Sequence, residues 1–131
     1  MFSYEIFPDY RLCVFTGREQ VDVEQIKTAS RQMLADERWM LGYNVLYDLR
    51  TCSLIDFSYD EIRFGVTKDS SFNDRVEGAK VAIVADRAVT YGFMRMWQIL
   101  SEHRPLEIKV FREIAEALDF LGVDESIALS D

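Results

Sequence analysis

Ala79-Lys80-Val81-Ala82-Ile83-Val84-Ala85 is a run of small and β-branched residues broken by one lysine. Such a run suits a strand covered on both faces, which is what a parallel sheet demands. Just downstream, residues 89–103 set Phe93, Met96, Trp97 and Leu100 at helical spacing, with Met94 and Arg95 off that stripe. Pro105 stops this helix, because proline lacks an amide donor and restricts the residue before it. Leu106-Glu107-Ile108-Lys109-Val110 then alternates strictly and reads as another strand. Strand, helix and strand in succession is the signature of a parallel crossover.

The same unit repeats upstream. Tyr43–Leu49 is rich in strand formers, and Ser58-Tyr59-Asp60-Glu61 is a capping signature opening a helix over 58–67. The stretch 68–78 is polar and reads as a loop. Further upstream, Asp22 and Gln25 form a second capping pair, opening a helix that buries Val23, Ile26, Ala29, Met33 and Leu34. Residues 3–7 and 11–16 flank Pro8-Asp9, so they form an antiparallel hairpin that Gly17 ends. At the other end, residues 112–121 are helical, with Gly122 at the position where a left-handed residue closes a helix. The expected order is ββαβαβαβα: an α/β domain over 1–123 on a mixed, mostly parallel five-stranded sheet, followed by a flexible tail over 124–131.

The chain has 131 residues, 15 Lys+Arg and 23 Asp+Glu, for a formal charge of −8. That balance argues against nucleic acid and against an anionic membrane, since both need a basic surface. No apolar run approaches the roughly 20 residues of a spanning helix. The first residues carry no basic and apolar leader pattern, so the expected compartment is the cytoplasm. Cys13 and Cys52 fit neither a disulfide framework nor a metal-ligand spacing, and His103 is the sole imidazole. The glycines are scattered and form no phosphate loop. No metal or cofactor is therefore expected.

Three segments resemble the SpoIIAA-like, or STAS, anti-sigma-factor-antagonist family, and among it the stand-alone bacterial STAS/SEC14-type proteins. They are Val45–Arg50 running on to Ser53–Asp56, Lys80–Asp86 followed by Tyr91–Arg95, and Val110–Glu113 through Ala117–Leu121. Asp48 and Asp56 stand at the acidic positions of the pattern. The resemblance implies a β–α superhelix and a regulatory or ligand-binding role without catalysis. It also implies a phospho-acceptor directly after the second acidic residue. Phe57 occupies that position here, and Tyr59 replaces a glycine. Ser58 is the remaining candidate for phosphorylation; its plain role is a helix N-cap.

Ligands of open α/β sheets bind outside the carboxyl ends of the strands. The loops expected there offer Asp48, Arg50, Asp56, Ser58, Asp86 and Tyr91, with Arg95 on the neighbouring helix, as a polar binding rim. An enzyme built on the Asp48, Arg50 and Asp56 corner would need facing carboxyls in a dry cleft, and the spacing does not require one. A second expectation concerns the sheet. Sequential strands joined by right-handed crossovers put every helix on one face, so the other face is left bare. Alternation places Cys13, Phe15, Val45, Tyr47 and Val84 on one side of the strands, and they are the candidate interface for a homodimer. The alternative is a small apolar or lipid-like ligand held between sheet and helices near Met96 and Trp97.

Overall fold

β1 (Phe2–Phe7) and β2 (Leu12–Val21) form the expected hairpin, joined by a 3₁₀ turn over Pro8–Tyr10. Pro8 sits in the first turn, where its missing N–H costs nothing. Arg11 closes the turn at a left-handed φ of 52°. The computed structural model describes residues 1–55, 58, 75–124, 126 and 127. The helix expected over 58–67 therefore lies outside the described residues, apart from Ser58, as does most of the loop expected over 68–78.

The described elements continue with α1 (Val23–Ala35), β3 (Asn44–Leu54), β4 (Lys80–Val84), α2 (Ala88–Leu100), β5 (Glu107–Phe111) and α3 (Ile114–Leu121). The strands lie in sequence order, β1-β2-β3-β4-β5, with β1 antiparallel to β2 and every other pair parallel. This is the mixed, mostly parallel α/β sheet read from the sequence. The capping box forms as expected: the Gln25 amide donates to Asp22 Oδ1 at 2.8 Å, and the Asp22 amide donates to Gln25 Oε1 at 2.9 Å. Gly122 closes α3 at φ 72°.

One core lies on the face shared by α1 and α2. Ala29, Met33 and Met94 pack there with Cys13, Phe15, Val45, Tyr47, Val81 and Ile83. On α2 the most deeply buried side chains are Thr90 and Met94. Met94 was expected off the inward stripe, so the helix is rotated from the face that its aromatics alone defined.

The bare reverse face does not exist. Leu12, Val14, Leu46, Ala82 and Val84 form a second core with Ala117, Leu118 and Leu121 of α3. The crossover rule governs only helices that join two parallel strands. α3 follows β5, the last strand, and folds back over the opposite side. The chain beyond Gly122 adds Ile127, which is 5% exposed and belongs to the same core. The Ile127 amide donates to the Asp124 carbonyl at 3.1 Å. The segment expected to be flexible is thus anchored at this residue.

Candidate binding rim at the carboxyl ends of the strands

β3 runs well past β4, and its far half is shaped by an irregularity. Thr16 of β2 pairs with Asp48, but Arg18 pairs with Thr51, so Leu49 and Arg50 together oppose Gly17. This bulge puts one extra residue in β3. Leu49 points into the α1–α2 core, and after the extra residue the next inward side chain is Cys52. Gly17 leaves space for both: a Cβ there would stand 2.9 Å from Leu49 Cδ2 and 3.2 Å from Cys52 Sγ.

Asp48 and Arg50, two residues apart on β3, also meet. Arg50 Nε and a terminal nitrogen each donate to one Asp48 oxygen at 2.9 Å, in a two-pronged fork. Asp48 is 4% exposed, so its charge is matched where water cannot solvate it. Two carboxylates were the basis for an enzymatic corner. Asp48 is committed to Arg50, and Asp56 lies outside the described residues.

α2 starts directly above the ends of β3 and β4. Arg87, at its N-cap, donates a guanidinium hydrogen bond to Ser53 Oγ. Thr90 Oγ1 donates to the Cys52 carbonyl at 3.3 Å and fixes the first turn to β3. From the β5 side, the Arg112 guanidinium lies 4.6 Å from the Tyr91 ring centroid, a cation–π contact. Asp86, the residue before Arg87, is exposed. The rim thus holds Asp48, Arg50, Asp86, Arg87, Tyr91 and Arg112. Arg95 does not join it: it lies about two turns along α2, exposed and bonded to Gln98 Oε1 at 2.9 Å. Ser58 is exposed, and the helix it was expected to cap is not described. Arg87 and Arg112 sit on the loops that leave β4 and β5, among those expected at this end of the sheet.

The candidate interface set does not form a surface. Cys13, Phe15 and Val45 are at most 1% exposed and Tyr47 is 8% exposed, all beneath α1 and α2, whereas Val84 is fully buried on the other side against α3. Alternation along a strand fixes which residues share a face within it, but not how neighbouring strands are offset. Val45 and Tyr47 align with Val81 and Ile83, which sends Val84 to the opposite side. Of the candidate set, Phe15 and Tyr47 belong instead to an aromatic row crossing the sheet. Phe2 stacks on Phe15 at 5.4 Å, Phe15 on Tyr47 at 4.8 Å, and Trp97 meets Tyr47 edge-on at 6.1 Å. Burial pushes the Tyr47 phenol up to about 12. It also pushes the Cys13 thiol up to about 12 and the Cys52 thiol to about 11, so both are held as thiols. Among the described residues no group of His, Cys, Asp and Glu could hold a metal ion, and no helix is long and apolar enough to cross a membrane.

No known family profile matches the chain, and no curated protein does. Among solved structures the chain is similar to an uncharacterised DUF3478-family protein of Shewanella loihica PV-4 with a SpoIIAA-like fold. The two share 16% identity and superpose with a TM-score of 0.57 over 92% of each chain. With the strand order, the parallel pairing of β2 to β5 and this likeness in hand, the fold of the chain is SpoIIAA-like.

Proposed function

We propose that this chain is a non-catalytic binding protein that self-associates and recognises an acidic segment of a protein partner at the rim. The observation that carries the reading is the pair Arg87 and Arg112, which bracket the first turn of α2 from the β3 and β5 sides. Each is oriented by a neighbour, Ser53 or Tyr91, and among the described residues neither forms an ion pair with a carboxylate. Arginine forks suit carboxylates and phosphates. The groups that chemistry would call on support the same reading: Asp48 is forked to Arg50, and both cysteines are buried as thiols. A rim of this kind gives orientation and charge matching, which steer association more than they add affinity.

The test places a photo-crosslinking residue at position 86, in the rim, and another at position 31, on the exposed side of α1, in the full chain expressed in its own cells. The rim probe should trap one discrete protein, and Arg87→Glu with Arg112→Glu should abolish it. Equal trapping at both positions, or a rim adduct indifferent to the charge reversal, would sink the proposal.

A further inference from the structure

The sheet has two ends, and they are built differently. β5 ends it with Glu107 and Lys109 exposed and with helices touching it from both faces, the charged finish that discourages further pairing. β1 has no lysine, proline or bulge from Phe2 to Phe7, and among the described residues no strand lies on its outer side. Its outward-pointing groups can be identified. Met1 and Arg18 exchange both backbone bonds, with the Met1 nitrogen donating to the Arg18 carbonyl at 3.0 Å and the Arg18 amide donating to Met1 at 2.9 Å. Antiparallel pairs alternate between bonded and non-bonded residues. Along the unbroken register, Ser3, Glu5 and Phe7 therefore turn their amides and carbonyls toward β2, while Phe2, Tyr4 and Ile6 turn theirs away.

We propose that a second copy of the chain pairs antiparallel with this edge about a two-fold axis at Ser3, setting Phe2 of one copy against Tyr4 of the other and joining the two sheets into one. This rests on the self-association in the reading above and names its surface. Outward residues must meet outward residues on the same face, which leaves axes at Ser3, Tyr4 or Glu5. An axis at Tyr4 needs the edge of Ile6, which is covered at 4% exposure. An axis at Glu5 needs Ile6 too, and it opposes two carboxylates, which is destabilising. The axis at Ser3 uses only Phe2 and Tyr4. It also sets the exposed Glu5 of each copy opposite Met1 of the other, whose ammonium donates, among the described residues, to the Arg18 and Gln20 carbonyls. Opposite charges thus meet twice by symmetry, and each aromatic row across the sheet gains the other copy's Tyr4.

Light scattering and sedimentation of the full chain should give about twice the 15.3 kDa chain mass at micromolar concentration. Glu5→Arg keeps the inward backbone bonds but faces an ammonium, and should weaken the dimer by about tenfold or more. Tyr4→Pro removes an amide that β2 does not use, and should leave a folded monomer by circular dichroism; Tyr4→Phe, which keeps that amide, should remain dimeric. A wild-type monomer would overturn both the edge and self-association. A dimer that resists Glu5→Arg and Tyr4→Pro would overturn the edge alone, because the copies would then meet elsewhere.

Discussion

At the scale of single residues, the structure assigns charges and thiols by burial. Asp48 is nearly inaccessible, so its cost is offset only while Arg50 holds it. Arg50→Ala should destabilise the chain by roughly 1–3 kcal/mol, the penalty of a buried acceptor left unmatched. Asp48→Asn with Arg50→Gln should recover part of that loss, as chemical denaturation would show. The thiols give a second measurement: at pH 8 neither Cys13 nor Cys52 should react with a disulfide reagent until the protein is unfolded, when both react. Asp36 gives a third. Arg38 forks onto its carboxylate and Tyr4 Oη donates to it at 2.9 Å, which holds its titration well below the usual carboxylate range. A depressed value means stability that is present above the unfolded-state value and lost as acid protonates the group. Asp36→Asn should therefore melt earlier than wild type at pH 7, with the gap closing below about pH 4.

At the scale of elements, the sequence spoke most clearly where local chemistry is self-contained. Asp22 with Gln25 wrote a capping box into four residues, and Gly122 wrote a helix end into one. Losing the cap in Asp22→Ala should cost about 1 kcal/mol. Strand ends were less legible. Gly17 read as the end of β2, and Leu49 as the end of β3, yet both strands continue to Val21 and Leu54. The continuation depends on the bulge, which two strands make jointly and neither one encodes alone. Gly17→Ala tests it directly: its methyl group would press on Leu49 and Cys52 in a close-packed core and should cost about 1–3 kcal/mol in a thermal melt. The rim was legible to the same degree. Asp48, Arg50, Asp86 and Tyr91 lie at or just beyond the carboxyl ends of β3 and β4, the region to which the rule about strand ends points. Arg95 was drawn in by nearness in sequence, whereas helical rise carries it away.

At the scale of the whole molecule, strand order and crossover logic placed α1 and α2 on one face, but that logic is silent about a helix that joins nothing. The expected bare face failed on α3, which covers the reverse side, whereas four of the five expected interface residues lie beneath α1 and α2. Ile127 completes that cover, so Ile127→Ala should destabilise by about 2 kcal/mol or more and raise binding of a fluorescent apolar dye. The cover has a temporal side as well. The residues of α3 leave the ribosome after all five strands, so a nascent chain stalled before Ile114 carries an assembled or assembling sheet with Leu12, Val14 and Leu46 still wet. Premature termination in this gene should thus yield sticky fragments that chaperones retain, and release into solution should coincide with the arrival of the last helix.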